Sequence, residues 1–279
     1  MRAYVVADVF TDTPLEGNPV AVFLDARGLS AETMQRAARE LNLSETVFVV
    51  DPQRGADAAI RIFTPATELP FAGHPVLGTA FVLGESTGSD QVRLTTAAGV
   101  VPVTLTRRNG SITAGEMQQP LPSIEPFDRV PQLLAALGVS GSRLAVELYD
   151  NGPRHVYVAL GDEAEVAALR PDHSALAALG PLTCSCFALC EGHVRTRVFA
   201  PGAGVAEDPA TGSAAGPLAV HLARHGQGAF GRWLEIRQGQ EIGRPSVIRA
   251  RVDGERDRLE RVLVAGSAVI VARGEYRLD

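Results

Sequence analysis

Three titratable side chains stand where the sequence predicts chemistry: Glu45, His74 and Asp208. Glu45 lies where a predicted helix ends and an apolar strand begins. If that strand packs inward, burial raises the pKa of Glu45, which suits a general base that must also return its proton. His74 directly follows Gly73, and Asp208 lies four residues before Gly212, so both stand near the predicted start of an apolar helix. These three residues are the candidate catalytic groups.

The two predicted helix starts, at Gly73 and Gly212, are candidate binding positions. Glycine lets the backbone turn sharply, and the first N–H groups of a helix have no helical partner. A partial positive charge of about half a unit gathers there and favours a carboxylate or a developing enolate oxygen. Ser213 adds a hydroxyl group at the second start. We therefore expect a small substrate that carries a carboxylate.

Each of these residues also has a purely structural interpretation. Glu45 would then be a solvated loop charge, and His74 and Ser213 would only cap core helices. Asp208 would complement the dipole of the second helix. Two equivalent helix starts facing one another favour the functional interpretation.

An internal repeat predicts the elements that position these residues. Segments 61–65 and 197–201 share a pattern, lie 136 residues apart, and are each followed by a glycine and an apolar run. A second internal similarity relates segment 18–24 to segment 151–160 at an offset of 133 residues. Two internal similarities at nearly the same offset predict two related domains that face each other, with a site between them.

The apolar runs after Gly73 and Gly212 have no polar face, so each predicts a helix enclosed by strands. The predicted fold is α+β, with two pseudo-symmetric domains, each a sheet wrapped around a central apolar helix. The proline-rich stretch 119–126 is the predicted boundary, which gives domains 1–126 and 127–279 with a last strand that can cross back to the first domain. Helices are predicted at 30–41, 74–83, 131–137 and 212–224. Strands are predicted at 4–9, 20–24, 46–50, 58–63, 92–95, 100–106, 111–116, 145–148, 156–160, 187–190, 193–199, 233–237, 247–252, 260–265 and 268–272.

Composition excludes several classes of function. No uninterrupted apolar stretch reaches the ~18 residues of a membrane span, and the first residues do not resemble a signal peptide, so we expect a cytoplasmic protein. A net charge of −6, with no basic run longer than Arg107-Arg108, argues against nucleic acid as a partner. All 26 cationic side chains are arginine. Pyridoxal-phosphate chemistry is excluded because it requires a lysine for the internal Schiff base.

The three cysteines, Cys184, Cys186 and Cys190, are followed by His193, a set that could hold zinc. They lie in an apolar stretch that is better interpreted as a buried strand, so we expect structural thiols rather than a metal site. Neither a nucleotide-binding glycine loop nor the nucleophile turn of a serine hydrolase occurs in the sequence.

The sequence resembles PhzF, the isomerase family of phenazine biosynthesis, whose fold is that of diaminopimelate epimerase. The similarity extends over nearly the whole chain. The matching segments are 17–23, 42–45, 71–75, 151–156, 171–173, 208–219 and 241–246.

The resemblance implies isomerisation of trans-2,3-dihydro-3-hydroxyanthranilate to an aminoketone. Glu45 would take the C3 proton and deliver it to C1, while His74 and Asp208 steer and balance protons. It also implies a homodimer that works without a metal or an organic cofactor. The implied substrate-binding residues are Asn18, Ser44, Gly73, Gly212 and Ser213.

Two alternatives remain open at this stage. Epimerases of this fold carry a cysteine at the start of each central helix, whereas Ala72 and Pro209 or their neighbours fill those places here, which disfavours two-thiol racemisation. The chain could still be an isomerase or epimerase of another small amino or hydroxy acid. It could also be a non-catalytic carboxylate-binding protein, which would bind ligand without exchanging protons with solvent.

Overall fold

The computed structural model describes residues 1–51 and 55–278. The helices are α1 (Ala31–Leu41), α2 (Gly73–Thr87), α3 (Val130–Leu137), α4 (Glu163–Ala168), α5 (His173–Ala177) and α6 (Gly212–Arg224). The strands of the first half are β1 (Arg2–Val9), β2 (Asn18–Phe23), β3 (Glu45–Val50), β4 (Ala58–Phe63), β5 (Glu68–Leu69), β6 (Gln91–Thr96), β7 (Gly99–Arg108), β8 (Ser111–Gln119) and β9 (Ser123–Pro126). Those of the second half are β10 (Glu147–Asp150), β11 (Arg154–Ala159), β12 (Leu182–Cys190), β13 (His193–Ala200), β14 (Val205–Asp208), β15 (Leu234–Gln238), β16 (Ser246–Glu255), β17 (Arg258–Gly266) and β18 (Ala268–Tyr276).

The two halves repeat one pattern of strand pairing. In the first half β1, β2, β3, β4, β6, β7 and β8 lie side by side in that order. In the second half β10, β11, β12, β13, β15, β16 and β17 do the same. In both series the six successive strand pairs are, in order, antiparallel, parallel, antiparallel, parallel, antiparallel and antiparallel. This match confirms the predicted pseudo-symmetry, and the antiparallel pair β8–β17 joins the two sheets.

The halves also exchange one strand each. β9 follows the last strand of the first series but pairs with β10 of the second. β18 follows the last strand of the second series and pairs along β1, from Arg2 opposite Tyr276 to Val9 opposite Ala268. Strand pairing therefore crosses between the halves at both ends.

Each sheet curls around one buried helix, as predicted. The described α2 residues from Gly73 to Val82 are all buried, and α2 contacts strands on several sides, including β1, β6, β7 and β8. In α6 every residue from Gly212 to Ala223 is buried, against β11, β16 and β17. Because both helices are apolar on all sides over these residues, enclosure by strands removes this part of each helix from water.

Helix α1 confirms its predicted capping and sets the position of β3. The Ser30 side chain accepts a hydrogen bond from the backbone N–H of Thr33, and Asn42 ends the helix in the left-handed conformation at φ 51°. This ending turns the chain within three residues, so that β3 begins at Glu45, one residue earlier than predicted.

The short elements β5, β9, β14, α4 and α5 were not predicted, because stretches of two to six residues carry too little periodicity. Strand β12 begins earlier than predicted and β10 is shifted toward the C-terminus. Cys184 and Cys186 are buried in the core of the second half beside Phe199, as expected for a buried strand, whereas Cys190 is half-buried. Within residues 1–51 and 55–278, no helix is long and apolar enough to cross a membrane.

Candidate active site

The starts of the two central helices touch each other between the halves. A Cβ added at Gly73 would lie 2.5 Å from both the carbonyl carbon of Gly212 and the nitrogen of Ser213. A Cβ at Gly212 would lie 2.9 Å from the Phe10 ring and 3.1 Å from the nitrogen of His74. Both glycines are therefore required by close backbone approach. Neither helix start has a side-chain cap, so first-turn N–H groups at both starts are available to a ligand.

Glu45 occupies a buried position at the first residue of β3. Only 9% of the residue is exposed, and its Oε2 has no hydrogen-bond partner among the described residues. Burial, and secondarily the negative charge of Asp208, raises the pKa of Glu45 well above its ordinary value. The raised pKa was expected from the sequence, and it suits a carboxyl group that both accepts and returns a proton.

The imidazole of His74 lies beside Glu45, with its Nε2 atom 3.4 Å from Glu45 Oε2. Burial lowers the pKa of His74 to about 3, so the ring is neutral. Nε2, the ring nitrogen that faces Glu45, makes no hydrogen bond to a described residue.

Asn18 links the two halves of the protein at this point. Its amide nitrogen donates to Asp208 Oδ1 at 2.8 Å and to the Ala210 carbonyl at 3.0 Å, and it lies 3.1 Å from His74 Nδ1. Asn18 thus ties the start of β2 to the residues preceding α6.

Asp208 is the second buried carboxylate of the site. Burial raises its pKa, while hydrogen bonds from Thr211, Asn18 and Ser44 partly oppose that rise. The Thr211 hydroxyl donates to Asp208 Oδ2 at 2.5 Å. Gln238 supports both residues, since its amide donates to the backbone carbonyl of Asp208 at 2.6 Å and accepts from the N–H of Thr211 at 3.2 Å.

The first turn of α6 is held from the side of the second sheet. Pro217 has no N–H, so the carbonyl of Ser213, four residues earlier, loses its helical partner. Asn151 replaces that partner, because its side-chain amide donates to the Ser213 carbonyl at 3.0 Å. Tyr157 donates its hydroxyl proton to the Ala214 carbonyl at 2.7 Å. Asn151 is the repeat equivalent of Asn18, so both halves anchor a helix start through an asparagine.

A cleft of about 300 Å3 opens between the halves over these groups. Glu45, Asp208 and Ser213 line it, together with residues from both sheets. Arg154, at the start of β11, is the single cationic residue that lines it, and its guanidinium has no ion pair within the described ranges. This volume is at the lower end of the range for small-molecule sites.

The structure brings all eight residues singled out from the sequence into one region. Ser44 reaches Asp208, Asn18 joins Asp208 and His74, and the remaining residues surround the two helix starts. Sequence reasoning did not identify Arg154, Thr211 and Gln238 as members of the site. Arg154 and Thr211 lie in segments 151–156 and 208–219, which resemble the family, so the resemblance could have identified them. No sequence pattern points to Gln238.

The fold and the paired helix starts place this protein in the class of diaminopimelate epimerase-like folds. A Bacillus anthracis phenazine biosynthesis protein of the PhzF family is similar at a TM-score of 0.85 and 27% identity, covering 99% of each chain. A hydroxyproline epimerase from Agrobacterium vitis is similar in fold at a TM-score of 0.69 and 15% identity, covering 98% of this chain and 91% of that one.

The chain belongs to the PhzC-PhzF family of phenazine biosynthesis-like proteins, whose family model matches residues 7–274. A trans-2,3-dihydro-3-hydroxyanthranilate isomerase from Pseudomonas aeruginosa PAO1 is 54% identical over 278 residues, covering 100% of both chains. The uncharacterized isomerase YddE from Escherichia coli K12 is 31% identical over 290 residues, covering 98% of this chain and 97% of the relative. These matches confirm the family that the sequence motifs indicated.

Proposed function

We propose that this protein is an isomerase that converts trans-2,3-dihydro-3-hydroxyanthranilate to an aminoketone by moving a proton from C3 to C1. The observation that carries the proposal is a buried Glu45 carboxyl group with a free oxygen, set beside a neutral His74 in a cleft between two helix starts. Full-length identity of 52–54% to three Pseudomonas enzymes of that name supports the choice of substrate.

Glu45 serves as the general base and then as the acid in this proposal. As a carboxylate it removes the C3 proton, and as a carboxylic acid it donates that proton to C1. Between these steps His74 Nε2, 3.4 Å from Glu45 Oε2 in the free protein, is placed beside the carboxyl group that carries the proton. Substrate and product have the same formula, so the proton transfer needs no oxidant or reductant.

Asp208 supplies the electrostatic condition for this transfer. Burial raises the pKa of Glu45, and the negative charge of Asp208 raises it further, since two carboxylates in one buried site cannot both ionise easily. Asn18 and Thr211 hold Asp208 in place from the two halves. Any change in the separation of the halves therefore changes the basicity of Glu45.

The substrate carboxylate binds at the paired helix starts in our proposal. The N–H groups of the first turns and the Ser213 hydroxyl offer donors there, and the two helix dipoles favour a negative charge. Arg154 adds the one cationic side chain that lines the cleft. We also propose a homodimer, which sedimentation would show as a particle of twice the 29.4 kDa chain mass.

The proposed function is tested by Glu45→Gln in deuterated buffer with trans-2,3-dihydro-3-hydroxyanthranilate as substrate. Loss of the general base lowers kcat by at least ~10²–10⁴-fold and removes deuterium exchange into product, as read by mass spectrometry. Glu85→Gln is the matched control, since Glu85 is exposed at the far end of α2, where it pairs with Arg273. Wild-type turnover in Glu45→Gln contradicts the proposed base.

The same assay separates the alternative functions. Wild-type protein that leaves this substrate unchanged but exchanges protons of another small amino or hydroxy acid, in a Glu45-dependent manner, has a different substrate. Binding of a carboxylate without any exchange indicates a non-catalytic protein.

A further inference from the structure

A second group of titratable side chains lies at the other end of α6, about 14 Å along the helix from its start at the cleft. The group consists of Glu147, His221 and His225, which we call the His–Glu cluster. His221 lies in the last turn of α6, and His225 is its C-cap residue. Residues four apart on a helix project from one face. Glu147, the first residue of β10, lies opposite that face.

The donor atoms of the cluster converge on one point. Glu147 Oε2 lies 2.9 Å from His225 Nε2 and 3.5 Å from His221 Nδ1, and the three atoms lie within 4.8 Å of one another. A tetrahedral zinc ion with ligands at about 2.0–2.1 Å separates its ligand atoms by about 3.3 Å. Two of the three separations are thus already within about 0.5 Å of that value.

Aromatic side chains fix the ligand groups in this arrangement. Tyr149 donates a hydrogen bond to Glu147 Oε2 at 2.9 Å, and its hydroxyl lies 3.1 Å from His221 Nδ1. Tyr157 stacks on His221 at a ring separation of 5.4 Å. A hydrogen bond to a ligating carboxylate is the usual outer support of a metal site, because it sets the orientation of the ligand.

Arg224, next to His225 in the chain, places a positive charge near both Glu147 and His221, and this charge opposes a second cation. We therefore expect weaker affinity than that of a structural zinc site in a zinc finger.

We propose that the His–Glu cluster binds a divalent metal ion of the zinc type, through His221 Nδ1, His225 Nε2 and a Glu147 oxygen. Two histidines and one carboxylate form a common zinc ligand set that leaves a fourth position for water. Glu147 and His225 are partly exposed, with side-chain exposures of 21% and 23%, so an ion and a water molecule can enter. The ion would join the end of α6 to β10, away from the cleft.

A second cluster requires a control, because Glu163, Cys190 and His193 also bring three donor atoms within 4.8 Å. It is a weaker candidate, since Glu163 is exposed and lies 3.6 Å from the guanidinium of Arg195. Replacing Cys190 by serine removes the thiol of this cluster. The test is therefore made in the full chain carrying Cys190→Ser.

Co²⁺ titration, followed by its visible absorption, is the direct test, with Zn²⁺ added afterwards to displace it. We expect one Co²⁺ per chain in the tetrahedral range of the spectrum, displaced by Zn²⁺. Glu147→Gln and His225→Gln should each lower the affinity at least tenfold. His173→Gln, which changes an exposed histidine outside both clusters, should leave the affinity unchanged.

Two results overturn the proposal. One is the absence of saturable Co²⁺ and Zn²⁺ binding in a protein whose thermal unfolding shows it to be folded. The other is binding that survives both cluster substitutions unchanged, which would make the cluster a hydrogen-bonded network only. Circular dichroism of each variant establishes that a loss of binding is not a loss of fold.

Discussion

The contact between the two helix starts predicts a large effect of a single methyl group. Gly73→Ala places a Cβ 2.5 Å from the backbone of Gly212 and Ser213, whereas carbon atoms in contact normally lie about 3.5–4.0 Å apart. Backbone atoms cannot rotate away as a side chain does, so the helix starts must separate by about 1 Å. A displacement of about 1 Å in a catalytic arrangement costs roughly 10²-fold in rate.

The stability of Gly73→Ala should change much less than its activity. Inserting a methyl group into a packed contact costs about 1–3 kcal/mol, and replacing a helical glycine by alanine returns up to about 1 kcal/mol. The net destabilisation is therefore about 0–3 kcal/mol, and the variant should fold. Gly73 does not have a positive φ, so steric contact alone causes the effect.

Steady-state isomerisation and urea unfolding together test this reasoning. We expect kcat of Gly73→Ala to fall by about 10²-fold while the unfolding midpoint shifts only slightly. Gly141→Ala is the matched control, because a Cβ at Gly141 meets no atom within 4 Å and its φ is not positive. A folded Gly73→Ala with kcat within threefold of wild type would show that close approach of the helices does not set the catalytic geometry.

Two further predictions concern binding and pH dependence. Arg154→Gln should raise KM about tenfold with kcat nearly unchanged. A fully formed hydrogen bond to a charged group is worth about 1.5–3 kcal/mol, and because Arg154 is exposed we expect the lower end of that range. Arg154→Lys should recover part of the loss, and an unchanged KM would show that Arg154 does not bind the substrate. His155 is buried, neither of its ring nitrogens has a hydrogen-bond partner among residues 1–51 and 55–278, and burial lowers its pKa to about 3. Unfolded chains bind this proton below about pH 6.5 and the folded protein does not, so wild-type stability falls with decreasing pH by up to about 1.4 kcal/mol per unit for this group. Urea midpoints at pH 7 and pH 5 should therefore differ less in His155→Gln than in wild type, and equal differences would contradict the assigned pKa.

Local patterns were enough to predict the elements that carry the site. The two central helices lack a polar face over a full turn, which predicts enclosure whatever surrounds them, and the position of Glu45 followed from a helix end beside an apolar strand. The pseudo-symmetry of the two halves followed from the internal repeat, because segments of similar sequence adopt similar folds.

Contacts between distant residues could not be predicted in the same way. Asn18 and Asp208 are 190 residues apart, and nothing in either local segment indicates that they form a hydrogen bond. Gln238 supports Asp208 only because β15, which follows α6 in the chain, returns to pair in parallel with β13. Arg154 lies in a segment that resembles the family, but only the cleft in the folded protein shows that this residue lines the site.

The pairing of β1 with β18 ties the order of synthesis to the completion of the fold. β1 leaves the ribosome before β18, yet one of its edges has no partner until β18 has been made. At about 5–20 residues per second, roughly 15–55 seconds separate the two events, during which an unpaired edge is exposed to other chains. A premature stop that removes β18 would leave residues 1–126 intact in sequence and would still uncover the edge of β1, two strands from the strand that carries Glu45.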